Sequence, residues 1–218
     1  SDKANLQATY YIVDKNSDDR SIYNGFEASF SGRLPAGASL FGGWTLQRNI
    51  SVFCSSNDNP NGPSVTDLFL GDGVANGGRF CDQRNFDVPF THEFKLAGNY
   101  PLPLGFDFGA ILQSYAGRER VITWTPAANL FRGGRTNSES LILTEPGALY
   151  YPRYNQLDLN VKKTFRFGRK TFTGQIDYFN ALNGNAIFAQ NNAIGGSLGQ
   201  VTAILQGRMM RLGFQMKF

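Results

Sequence analysis

The stretch RMMRLGFQMKF, residues 208–218, decides how the rest of the chain is read. Taken alternately, it puts Arg208, Met210, Leu212, Phe214, Met216 and Phe218 on one side. Arg211, Gly213, Gln215 and Lys217 fall on the other, with Met209 as the one apolar exception. Period-two alternation is the signature of a strand with one apolar face. A strand that ends on an aromatic residue is unusual for a soluble domain, whose last residues commonly trail into solvent.

The same alternation recurs along the chain. From Asn5 to Val13, Leu6, Ala8, Tyr10 and Ile12 share a face. Ile22, Phe26, Ala28 and Phe30 do so between Ser21 and Arg33, as do Leu40, Trp44 and Leu46 between Ala38 and Ile50. Phe90, Phe94, Leu96 and Tyr100 form the next set, and Phe106, Phe108, Ala110 and Leu112 the one after. Leu157, Leu159, Val161, Phe165 and Phe167 are followed by Phe172, Ile176 and Tyr178, and residues 208–218 bring the number of strands to about eight. The intervening positions carry Glu27, Glu93, Lys95, Asp107, Asp158, Asp177 and Arg211.

The connections come in two sizes. LPAG (34–37), PLPLG (101–105) and FGRK (167–170) are tight turns, while 54–87, 118–153 and 183–206 are long and polar. Counting back along antiparallel strands places every tight turn at one end and every long loop at the other. That is the anatomy of an outer-membrane barrel. Aromatics near strand ends (Tyr10, Phe30, Phe90, Tyr100, Phe106, Phe167, Phe218) match the expected interfacial girdles. The competing reading is a soluble antiparallel barrel or sandwich whose apolar face is a packed core, because alternation alone does not say which face is inside.

Composition narrows the classes. Of 218 residues, 19 are Phe, 9 Tyr and 25 Gly, a usage that suits strands and tight turns. The net charge of +4 is spread singly, so nucleic acid is not an expected partner. Mean hydropathy is −0.29 and no apolar run approaches 18 residues, which excludes a transmembrane helix but not a transmembrane barrel. The chain opens on Ser1 with neither an initiator Met nor a signal peptide, and is expected to be a processed product or a piece of something longer.

Three blocks carry a family resemblance. YNGFEASFSGRLPAGASLFGGWTLQRN (23–49) resembles the paired strands of TonB-dependent outer-membrane receptors, in which a Y-x-G-x-E strand turns at R-L-x-x-G. QLDLNVKKTFRFGRKTFTGQIDYFNALN (156–183) with GRMMRLGFQMKF (207–218) resembles their last three strands, with D-x-F-N-x-x-N and G-R-x-x-R-L-G-x-x-x-x-F ends. RFCDQRNFDVPFTHEFKLAGNYPLP (79–103) is similar to the Oar-like subfamily, whose members carry a carboxypeptidase-regulatory-like domain. The resemblance implies that residues 1–218 form one segment, the C-terminal part of a barrel wall of about 22 strands around a plug that this sequence lacks.

It implies uptake of a scarce nutrient (a ferric siderophore, an oligosaccharide or a peptide) across a bacterial outer membrane, with long loops extracellular and short turns periplasmic. Its implied partners are outer-membrane lipid, the remaining strands and plug of the same receptor, the TonB complex acting through that plug, and the barrel-assembly machinery. Leu212, Phe214, Met216 and Phe218 resemble the signal that machinery reads. The alternative is a self-standing small barrel acting as anchor, adhesin or porin. A barrel lipase or protease lacks a recognisable catalytic set, so no enzyme activity and no cofactor are expected.

Individual residues are open to more than one reading. Cys54 and Cys81 lie in one long connection and read as a disulfide in an oxidising compartment, against two free thiols. Asp58, Asp67, Asp72 and Asp82 offer oxygen ligands that suit calcium, although turn chemistry explains them equally well. His92, the sole histidine, falls in an apolar register and reads as interfacial. Tyr115, Arg118, Arg120, Trp124, Arg132 and Arg135 gather around the 118–153 connection. Arginines and aromatics grip sugars, peptides or anionic chelates, and they also populate girdles and solvated loops.

Overall fold

A computed structural model describes residues 20–52, 80, 82–127 and 140–218. Seven strands pair in an antiparallel sheet, in the order β1 (Arg20–Arg33), β2 (Ser39–Val52), β3 (Thr91–Leu102), β4 (Phe106–Tyr115), β7 (Tyr154–Phe167), β8 (Lys170–Phe179) and β11 (Met209–Lys217). Each is hydrogen-bonded to its neighbours in chain order. Two short pairs sit in the long connections: β5 (Thr123–Trp124) with β6 (Leu141–Ile142), and β9 (Ile187–Gln190) with β10 (Val201–Ile204). The alternating segments from residue 21 onward are all strands, within three residues of their expected bounds. The Asn5–Val13 segment lies outside the described residues. Among the described residues the sheet does not close, because β1 and β11 each have one partner and form its edges.

The turns follow from local chemistry. Leu34–Gly37 and Leu102–Gly105 are the same device: a Pro, then a residue in the left-handed region (Ala36, φ 62°; Leu104, φ 66°), then a glycine (Gly37, φ 81°; Gly105, φ 77°). Proline presets the turn and glycine takes the second positive φ without penalty. β7 and β8 are joined through Gly168 (φ 58°) and Arg169, with glycine at the first central position as a type II′ hairpin needs. All three tight turns lie at one end of the sheet, and the long connections at the other.

Register keeps the two faces apart across all seven strands. Phe26 opposes Leu46, Trp44 opposes Phe94, and Leu96 opposes Leu112. Ala110 then opposes Leu159, Val161 opposes Ile176, and Ile176 opposes Leu212. On the other face Glu27 opposes Thr45, Thr45 opposes Glu93, Asp107 opposes Lys162, Asn160 opposes Asp177 and Asp177 opposes Arg211. Phe41 and Ile111 are apolar intruders there.

Among the described residues nothing forms a second layer over the apolar face. Phe26 is 55% exposed, Phe94 46%, Ile176 48% and Phe214 72%, whereas Asp177 on the opposite face is 6% exposed. Buried apolar side chains are few among the described residues: Ala38, Ile50, Val52, Leu141 and Leu205. An uncovered apolar patch of this extent marks a surface that meets something other than water.

Candidate functional site: the loop end of the polar face

Tyr115 closes β4 and Tyr154 opens β7, directly opposite one another. Their rings stack, with centroids 5.3 Å apart and planes 4° from parallel. The Lys95 ammonium lies 5.3 Å over Tyr115, and Phe188 of β9 meets Tyr154 edge-on at 5.5 Å. Each ring thus has two partners within the protein, and the Tyr154–Phe188 contact fastens β9 to the wall. Below it, the Tyr154 hydroxyl is 2.9 Å from Gln113 Oε1 and 3.1 Å from Gln156 Oε1. Gln156 donates to both oxygens of Asp158 at 2.8 Å, and Asp158 accepts the Asn180 N–H at 2.8 Å. A second chain runs from the Tyr23 hydroxyl to Gln47 (3.2 Å) and from Gln47 to Glu93 (3.3 Å). Deeper on the same face, Phe41, Asn99, Asp107, Asp158, Asn160 and Lys162 line a hollow of about 360 Å³ over Gly109.

The loops above are tied together. The Tyr151 N–H donates to Arg118 O (2.9 Å), Arg120 N–H to Leu149 O (2.8 Å), and Gly147 N–H to Glu119 Oε1 (2.6 Å). Tyr150 opposes Glu119; burial, then that carboxylate, pushes its hydroxyl pKa above the ordinary tyrosine value. Thr123 N–H donates to Asn192 O (3.0 Å) and Ile194 N–H to Thr123 O (2.7 Å). The Tyr151 hydroxyl accepts from Gln190 N (3.2 Å) and Asn192 Nδ2 (3.0 Å). Two long connections therefore share one hydrogen-bonded layer.

Of the six expected ligand contacts, Tyr115 belongs to the stack with Tyr154. Arg118 (exposed), Arg120 and Trp124 (both half-buried) follow one another on the segment leading into β5, where Trp124 opposes Leu141. Arg132 and Arg135 lie outside the described residues, as do Cys54, Cys81, Asp58, Asp67 and Asp72. Asp82 is already occupied. Its Oδ1 accepts from the Arg84 N–H (3.0 Å) and Arg84 Nε (2.8 Å), and its Oδ2 pairs with an Arg84 terminal nitrogen at 2.6 Å. The Arg84 side-chain hydrogen bond is the largest cause holding its pKa down at about 2. Among the described residues no three His, Cys, Asp or Glu side chains gather where a metal ion could sit.

His92 sits on the apolar face opposite Leu46, its ring stacked on Trp44 at 6.0 Å, with Trp44 Nε1 3.4 Å from His92 Nδ1. Leu212, Phe214 and Met216 share that face on β11, opposite Ile176, Gly174 and Phe172, and the Lys170 ammonium lies 5.6 Å over the Phe218 ring.

Residue-by-residue reading missed what DYFNALN (177–183) does. Asn180, 2% exposed and at φ 48°, donates to Gly184 O (3.0 Å) and Gln206 O (2.8 Å) and accepts from Gly184 N (2.9 Å). Asn183 (φ 51°) accepts the Arg208 N–H at 3.2 Å. Both tie the end of β8 to the approach to β11. The signal was two asparagines, the residue type that tolerates left-handed backbone, three positions apart at a strand end. No family model matches the chain, and no match is found among curated proteins or solved structures.

Proposed function

We propose that this chain is part of the wall of a bacterial outer-membrane barrel, in a TonB-dependent receptor that imports a scarce nutrient such as a ferric siderophore, an oligosaccharide or a peptide. The observation that supports it is the register. Seven strands put their apolar residues on one uncovered face and Glu27, Glu93, Lys95, Asp107, Asp158 and Asp177 on the other. Lipid satisfies the first face and a wet lumen the second. Tight turns at one end and long, cross-linked loops at the other fit periplasmic and extracellular ends. The receptor function rests on the resemblance of residues 23–49, 156–183 and 207–218. In this reading the remaining strands pair with the open edges at β1 and β11, since lipid does not tolerate unpaired backbone.

The test has two arms. Single-cysteine labels at His92, Phe94 and Leu96, and at Glu93, Lys95 and Ala97, are placed in the full-length protein with Cys54 and Cys81 replaced by Ser. The first set should be quenched by lipid-borne nitroxide and the second by an aqueous quencher; uniform aqueous quenching would remove the membrane reading. Deleting the gene should abolish growth on one member of a panel of chelated iron, oligosaccharide and peptide sources, and deleting TonB should reproduce the loss. Growth indifferent to TonB would favour the anchor or porin alternative.

A further inference from the structure

The apolar face carries cations at both rims, and the two rims treat them differently. At the tight-turn end Lys163 opposes Phe106, its ammonium lying 4.0 Å over that ring and 5.4 Å over Phe165 while donating to Leu104 O. Lys170 sits over Phe218. These charges are taken up by rings and backbone. At the loop end the cations are arginines. Arg48, in register with Leu46 and Ile50, lies 4.5 Å over the Phe90 ring, and its buried Nε has no hydrogen-bond partner. Arg153 reaches Ser114 Oγ on the apolar face through one terminal nitrogen at 3.2 Å, and Arg208 reaches the Tyr178 hydroxyl through one at 3.4 Å. Among the described residues none of the three is paired with a carboxylate; Glu119, which lines the same hollow as Arg48, accepts the Gly147 N–H instead.

A guanidinium has five N–H donors in a fixed fork, so each of these side chains keeps several unspent. The unspent fork matches a phosphate. With neighbouring strands about 4.8 Å apart, Arg48 and Arg153 stand roughly 14 Å apart along the rim and Arg153 and Arg208 roughly 10 Å, a spacing that suits separate headgroups better than one ligand.

We infer that Arg48, Arg153 and Arg208 form a collar that binds the phosphates of anionic lipids in the leaflet at the loop end. This rests on the membrane reading above. A basic residue at an anionic surface strengthens association about fivefold, so the three together are worth on the order of a hundredfold.

The experiment uses the full-length protein in nanodiscs of phosphatidylcholine doped with phosphatidylglycerol, and reads retained phosphatidylglycerol by native mass spectrometry. Wild type should enrich the anionic lipid, and Arg48→Gln/Arg153→Gln/Arg208→Gln together should abolish the enrichment. Lys163→Gln should leave it intact, and the triple Lys variant, which keeps charge but loses the fork, should fall between. Inorganic phosphate should not displace the lipid. Undiminished enrichment in a folded triple Gln variant would overturn the collar, as would displacement by free phosphate, which would make the site a simple anion site. Failure of the membrane reading itself would look different: β3 labels on the apolar face would be quenched from water in every lipid mixture.

Discussion

Arg211 on β11 and Asp177 on β8 face each other across the last strand pair, with Arg211 Nε 2.8 Å and a terminal nitrogen 2.7 Å from the same oxygen, Asp177 Oδ2. The other oxygen accepts from Gln175 (2.7 Å) and from Asn160 on β7. One carboxylate thus stitches three strands. Removing it strands donors on β7, β8 and β11, so Asp177→Ala should cost about 1–3 kcal/mol in urea unfolding. Arg211→Ala removes a mostly solvated side chain and leaves the carboxylate its Gln175 and Asn160 donors, so it should cost less than Asp177→Ala. Equal costs would mean the carboxylate does not act as a hub.

Asn180 makes the sharper case. Ala there leaves the half-buried Gly184 N–H and the Gly184 and Gln206 carbonyls without their partner, and keeps a left-handed φ that Ala tolerates poorly. A loss of about 3 kcal/mol is expected, by adding unsatisfied backbone groups to backbone strain. Limited proteolysis should detect it first as cleavage within 184–206, while the 103–105 turn stays intact.

Such residues also show where sequence reading reaches its limit. Alternation identified the seven sheet strands and their two faces because each strand is long enough for period two to repeat. β5, β6, β9 and β10 are two to four residues long and hold no such repeat, so 118–153 and 183–206 read as plain connections. Tyr115 and Trp124 were legible as an aromatic cluster beside arginines. That Tyr115 stacks on Tyr154 beneath Lys95, and that Tyr154 in turn meets Phe188, depends on cross-strand register and on a loop strand returning over the wall, which no local pattern encodes.

The two LPxG turns carry residual strain that can be relieved. Leu104 is 84% exposed at φ 66°, so its side chain stabilises little while its backbone sits where asparagine is at home. Leu104→Asn should raise stability by roughly 0.5–1 kcal/mol. Gly105→Ala should do the reverse by about 1–2 kcal/mol, because φ is 77° and a Cβ would lie 3.1 Å from Thr164 O. Thermal melts of both variants decide it; a neutral Gly105→Ala would mean the turn relaxes freely.

Acid should loosen the 82–86 turn late. Asp82 titrates at about 2 instead of 3.8 because Arg84 favours its charged form. A depressed folded value means the contribution is present above pH 3.8 and is lost as pH falls through about 2. The protection of the Arg84 amide, its exchange rate relative to the intrinsic rate at the same pH, should therefore hold from neutral pH to about 4 and fall as pH drops toward about 2. Asp82→Asn should show low protection throughout that range. If wild type and variant exchanged alike at neutral pH, the pair would not hold this turn.

The two faces of the sheet should answer a new charge in opposite ways. Leu159 lies mid-strand on the apolar face, between Ala110 and Tyr178, while Ser29 lies mid-strand on the polar face, opposite Gly43. In water both substitutions to Arg would be mild, since a guanidinium on an exposed sheet face stays hydrated. Against hydrocarbon, an arginine near the midplane costs about 2–4 kcal/mol, whereas one in a wet lumen costs little. The Leu159→Arg form of the full-length protein should therefore insert poorly into lipid vesicles and unfold at lower urea, with Ser29→Arg close to wild type. Since both variants add one positive charge, net charge cannot produce the difference. Equal tolerance at the two positions would place water on both faces and leave the apolar face to a protein partner.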